Sequence, residues 1–138
     1  MIIIIDYGMG NLGSLLNMIK HIGGKAKISS STEEISNAKK IILPGVGRMD
    51  AGMKILRSSK IDQAIYSAAK NKETKLLGVC LGMHLLFNHS EEGNCEGLGL
   101  VSGKVKKFNF TNENLKIPHM GWNSINFAKE TKLFSKEE

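Results

Sequence analysis

Cys80 lies in Gly78-Val79-Cys80-Leu81-Gly82, between an apolar run at 76–79 and a helical pattern at 81–87. A G-x-C-x-G pattern between a strand and a helix reads as a nucleophile elbow. The turn is so sharp that the residues two positions to either side must lack side chains, and here both are glycine. The elbow exposes the sulfur and aims it over the start of the next helix, whose partial positive charge favours thiolate over thiol. The backbone N–H of Leu81 would then point at the oxyanion formed when the thiolate attacks a carbonyl. The competing reading is a buried structural cysteine, a common fate for this residue type. Pro44-Gly45-Val46-Gly47 follows another strand pattern, and its glycines let the backbone turn its N–H groups outward, so it can supply a second oxyanion donor. A phosphate cradle is the weaker reading, because no Gly-Lys-Ser/Thr follows. Cys95, in the loop at 91–97, has no such context and reads as incidental.

The elements that must position these residues alternate along the first 90 positions. Ile2 to Ile5 is a continuous β-branched run, the signature of a strand buried on both faces. Asn11 can cap a helix that carries Leu12, Leu15, Leu16, Ile19 and Ile22 at helical spacing and ends at Gly23-Gly24. Strands are predicted at 25–28 and 40–43, with a short helix between them opened by the capping box Ser31-Thr32-Glu33-Glu34. Helices follow at 48–56 and from Ser59, the latter with Ile61, Ala64, Ile65, Ala68 and Ala69 on one face. A fourth strand at 76–79 runs into Cys80. Beyond Gly97 the alternation up to Phe110 predicts a hairpin or meander, and 117–127 reads as extended. The pattern predicts an α/β fold, a parallel sheet with helices on both faces and right-handed crossovers, followed by a β-rich segment. In such sheets sites form at the carboxyl ends of the strands, and the glycine loops at 8–10 and 45–47 and Cys80 fall at that edge.

A length of 138 residues suits one domain, and 41% apolar residues suffice for a core. The net charge of +6 would attract acidic partners. The lysines are scattered, however, and the one cluster, Lys104, Lys106 and Lys107, alternates with Val105 and Phe108 as an exposed strand face would. Nucleic acid is therefore not an expected partner. Two cysteines make no disulfide framework. The isoleucine run halts at Asp6, too short for a signal peptide or a membrane span. A reducing cytoplasm is the expected location, and a free thiol can do chemistry there. The four histidines and two cysteines form no ligand cluster, so no metal is expected, and no cofactor either.

Five segments occur in order: Asp6-Tyr7-Gly8-Met9-Gly10-Asn11, Leu43-Pro44-Gly45-Val46-Gly47, Gly78-Val79-Cys80-Leu81-Gly82-Met83, Ser90-Glu91-Glu92-Gly93 and Pro118-His119-Met120-Gly121-Trp122-Asn123. Together they resemble the glutaminase subunits of imidazole glycerol phosphate synthase, within the class I glutamine amidotransferases, over nearly the whole chain. The resemblance implies a flavodoxin-like amidotransferase fold. It also implies that Cys80 attacks the side-chain amide of glutamine, and that ammonia passes through a tunnel to a (β/α)₈ cyclase subunit in a heterodimer of the histidine pathway. By the same resemblance Gly45, Val46 and Gly47 form the oxyanion loop beside Cys80, and His119, Met120, Trp122 and Asn123 belong to the partner-facing region. A well-packed strand with a buried tryptophan is the plain structural reading of that last segment.

The sequence departs from the family in three places. The family completes its triad with a His-x-Glu pair near its C-terminus. Here only His89, among His21, His84, His89 and His119, has Glu two positions on, and its place just past the elbow helix marks it as a surface or helix-end residue. The expectation is an amidotransferase domain incomplete at the C-terminus, its final strands missing, with little glutaminase activity by itself. His84 replaces a glutamine that in many relatives contacts substrate. It either binds substrate differently or has no ligand role. Arg48-Met49 replaces a small residue and an aromatic. Two alternatives stay open: an ammonia-supplying paralogue for a surface-polysaccharide sugar amidotransferase, and a non-catalytic pseudo-glutaminase partner.

Overall fold

The computed structural model describes residues 1–109 and 116–126. The chain divides into two compact units, Met1–Lys107 and Phe108–Glu138.

The first unit opens with β1 (Ile2–Ile5), α1 (Leu12–His21), β2 (Ala26–Ser29), α2 (Thr32–Ser36) and β3 (Lys40–Leu43). It continues with α3 (Met49–Ser58), α4 (Ile61–Ala69), β4 (Lys75–Gly78) and α5 (Leu81–Leu85), then β5 (Phe87–Ser90), β6 (Cys95–Glu96) and β7 (Val101–Val105). Strands β1 to β4 form one parallel sheet in the order β2-β1-β3-β4. Because side chains alternate across a strand, Ile3 and Ile5 join the larger core cluster while Ile4 joins the smaller one with Ile19 and Ile42. Helix α1 covers the second face with Leu12, Leu15 and Leu16, and α3 and α4 cover the first with Met53, Leu56, Ile61, Ala64, Ile65 and Ala68. The isoleucine run is thus buried on both faces, as its composition predicts. Ala69 corrects the predicted α4 face, because it is exposed.

Local capping sets the helix starts. The Asn11 side chain accepts from the Ser14 N–H and that of Ser31 from the Glu34 N–H, each satisfying a donor that a helix N-terminus leaves free. Only half of the predicted capping box forms, since the Ser31 N–H donates instead to the Ser29 hydroxyl oxygen at 3.1 Å, while Glu34 Oε1 accepts from Lys27. Ser59 closes α3 rather than opening α4: its hydroxyl donates to the Ile55 carbonyl at 2.8 Å.

Two expectations fail past the elbow. The helix predicted at 81–87 stops at Leu85, and Phe87 begins β5. The carbonyls past that end are claimed by N–H groups from later in the chain: Leu98 donates to Leu85, Val101 to Leu86, and Gly99 to Phe87. The hairpin or meander expected after Gly97 is instead a three-stranded sheet, β6-β5-β7, in which β6 is antiparallel and β7 parallel to β5. Leu98, 3% exposed, plugs into the core and carries the chain across β5 to its other edge. Phe110 and Phe127, the ends of the two expected extended stretches, lie outside the described residues.

In the second unit, residues 116–126 form no regular strand and are all exposed, Trp122 fully. The expected packed strand with a buried tryptophan is therefore corrected. No strand pairs with this segment among the described residues. It turns at Gly121, φ +140°, where His119 Nε2 lies 3.0 Å from Asn123 Nδ2.

Candidate active site

The site is built where β3 and β4 end side by side. Leu43 pairs with Gly78 in parallel register, and one residue further the Val79 N–H donates to the Leu43 carbonyl at 3.0 Å. Cys80 then takes φ +54°, ψ −119° as the N-cap of α5, a conformation that L-residues rarely adopt and that costs of order 1–3 kcal/mol. Both flanking glycines are required by contact. A Cβ on Gly78 would stand 2.6 Å from the Met83 Cα, and one on Gly82 would overlap the Leu43 carbonyl. The elbow is thus folded hard against the end of β3, and Cys80 itself is exposed. Helix α5 has only five residues, so its N-terminal field comes from a few peptide units.

The loop after β3 has a buried root and an exposed tip: Pro44 and Gly45 are buried, Val46, Gly47 and Arg48 exposed. A Cβ on Gly45 would lie 3.1 Å from the Leu81 Cβ, so the loop abuts the residue that follows Cys80. The amides of Val46, Gly47 and Leu81 donate to no acceptor among the described residues. These are the donors that the sequence singles out for an oxyanion.

A residue that sequence reasoning missed stands beneath the loop. Tyr7 is 4% exposed, and its hydroxyl donates to the Pro44 carbonyl at 2.8 Å. Burial and, second, the nearby charge of Cys80 push its phenol well above the ordinary tyrosine value. The Asp6-to-Asn11 motif contained Tyr7, but nothing in its spacing marks a contact reaching to Pro44.

His84 lies one turn beyond Cys80 on α5, half-buried, and its ring has no partner among the described residues. Met49 is fully buried in the core, and its N–H lies 3.4 Å from a Glu92 carboxylate oxygen. Arg48 grips Asp50 at both carboxylate oxygens, at 3.1 and 3.0 Å. That ion pair holds the Asp50 carboxyl below its usual range. The two unusual residues therefore have local structural roles at the start of α3. His89 is neither at a helix end nor paired with Glu91. It sits in β5, with Nδ1 3.1 Å from Glu96 Oε1, while Glu91 accepts the Lys107 N–H. Cys95 is half-buried, and burial raises its thiol. The described residues hold no group of His, Cys, Asp and Glu fit for a metal ion, and no helix among them is long and apolar enough to cross a membrane.

The parallel sheet thus ends in a strained cysteine elbow beside a glycine loop. The chain belongs to the family described as "Glutamine amidotransferase class-I", whose model matches residues 3–138. A solved structure described as "Crystal structure of glutamine amidotransferase" shares the fold with a TM-score of 0.66 at 20% identity, over 80% of this chain and 59% of that one.

Particular relatives are more similar still. The chain is 51% identical, over 96% of its length, to "Imidazole glycerol phosphate synthase subunit HisH 2" of Methanococcus maripaludis. It is 44% identical over 98% to the protein of the same description from Pseudomonas aeruginosa, and 44% identical over 100% to "Imidazole glycerol phosphate synthase subunit HisH" of Bacillus subtilis. It spans 65%, 66% and 66% of the lengths of these three relatives.

Proposed function

We propose that these residues are part of a single glutaminase domain in which Cys80 is the nucleophile, and that its ammonia serves imidazole glycerol phosphate synthesis in the histidine pathway. The observation that carries the reading is the left-handed backbone of Cys80, φ +54°, between two glycines that contact makes obligatory. A structural cysteine needs no such strain, whereas a nucleophile that must stand clear of its own chain does. The thiolate adds to the side-chain carbonyl of glutamine, forming an S–C bond and an oxyanion. Collapse of that adduct breaks the C–N bond, ammonia leaves carrying the thiol's proton, and water then cleaves the thioester to glutamate. The free amides of Gly47, Val46 and Leu81 would receive the oxyanion, with Gly45 holding the loop against the elbow. His84, one turn along the same helix face, would line the glutamine pocket. The reaction needs no metal or cofactor.

The partner would be a (β/α)₈ cyclase subunit that takes the ammonia, in a cytoplasmic heterodimer. His119, Met120, Trp122 and Asn123 are its proposed contact residues. Met120 and Trp122 are 84% and 104% exposed, and aromatic and methionine side chains are enriched in such interfaces.

The test is glutamine hydrolysis by the protein from its native source with the cyclase present. Cys80→Ala should reduce kcat by about 10⁴-fold or more, and Cys95→Ala should leave it intact. Hydrolysis that survives Cys80→Ala would refute the nucleophile. Transfer of ammonia only to a sugar acceptor would refute the histidine pathway.

A further inference from the structure

We propose that Tyr7 is a positioning residue: its hydroxyl sets the orientation of the peptide plane from which the 45–47 loop springs. The ladder between β3 and β4 ends with Leu43, whose carbonyl accepts the Val79 N–H. Pro44 has no N–H of its own, and its buried carbonyl would have no partner if Tyr7 did not donate to it at 2.8 Å. The Pro44–Gly45 peptide is not among the cis bonds, and in a planar trans unit the C=O and N–H point in opposite directions. Holding the Pro44 carbonyl toward Tyr7 therefore fixes the Gly45 N–H to face away from it. A Cβ on Gly45 would overlap the Tyr7 hydroxyl, and one on Gly10 would stand 3.3 Å from the Gly45 nitrogen. The loop root is thus clamped by the β1 loop on one side and Leu81 on the other, while Val46 and Gly47 remain exposed with free amides. A hydrogen bond that orients donors before the charge develops is the form that electrostatic preorganisation takes.

The inference rests on the reading of Cys80 as nucleophile, and two reagents separate the two ideas. Iodoacetamide alkylates the sulfur by displacing iodide, with no oxyanion formed. A glutamine-shaped chloromethyl ketone first adds the sulfur to its carbonyl, forming an oxyanion, and then loses chloride. In the protein from its native source, Tyr7→Phe should slow the chloroketone at Cys80 by about tenfold or more and leave the iodoacetamide rate within about twofold. Equal slowing of both reagents, or of neither, would overturn the positioning role. If the wild-type protein shows no preference of the chloroketone for Cys80 over Cys95, the nucleophile reading itself fails. Should Tyr7→Phe not fold, 3-fluorotyrosine at position 7 keeps the ring and strengthens the donor. The ratio of the two rates must then rise, and an unchanged ratio overturns the proposal.

Discussion

At Cys80 the backbone is held in a conformation that favours glycine, and neither Gly78 nor Gly82 has room for a side chain against Met83 and Leu43. Stability and chemistry should therefore oppose each other at this position. Cys80→Gly relieves strain of about 1–3 kcal/mol and loses about 0.5–1 kcal/mol to chain entropy, so urea unfolding should show a net gain of roughly 1 kcal/mol in a protein with no glutaminase activity. A loss of stability would mean that Cys80 is not strained. Tyr7 gives a second residue-scale expectation. Its folded phenol stays protonated well above the ordinary value of 10.0. Below that value both states are protonated and the Tyr7 contribution is complete. As pH rises through it, the unfolded chain releases the proton while the folded chain keeps it, so stability falls. Tyr7→Phe should lose less stability than wild type between about pH 9 and about pH 11. Parallel losses would show that the hydroxyl is not held in its protonated state.

At the scale of elements, much of the α/β half was legible because each signal was local. The isoleucine run, the caps at Asn11 and Ser31, and the turn before Cys80 all act within a few residues. Gly-x-Cys-x-Gly could be read for the same reason: the elbow is a property of five consecutive backbones. The end of α5 and the pairing of β7 could not be read in this way, because both depend on Leu98 and its neighbours returning to carbonyls already passed. The Tyr7–Pro44 bond was invisible for the same reason, since it joins two loops that only the β1–β3 pairing brings together. Leu98 is the hinge of the misread region, so Leu98→Ala should cost about 2–5 kcal/mol. The loss should be seen in denaturant unfolding, with amide exchange rising first in β5 and β7. A change below about 1 kcal/mol would show that the crossover does not depend on that plug.

At the scale of the whole molecule, each unit leaves apolar side chains exposed. The sheet's second face is covered by α1 over β1 and β3, whereas Leu77 of β4 is 48% exposed. Residues 116–126 expose Ile117, Met120, Trp122 and Ile125 together. A fully exposed tryptophan contributes little to the stability of the free chain, and a large share of binding energy resides in such residues once a partner buries them. Trp122→Ala should leave the unfolding midpoint unchanged and weaken binding of the proposed cyclase partner by about 2 kcal/mol, read by calorimetric titration. A lowered midpoint with unchanged affinity would return the residue to a structural role.

The proposed covalent bond joins the Cys80 sulfur to the side-chain carbonyl carbon of glutamine. Its most direct test is acid quenching of the native protein during turnover of isotopically labelled glutamine, followed by peptide mass spectrometry. A labelled glutamyl thioester on the peptide containing Cys80 is the predicted result. Turnover with the label on Cys95, or on no cysteine, would rule out Cys80 as the nucleophile.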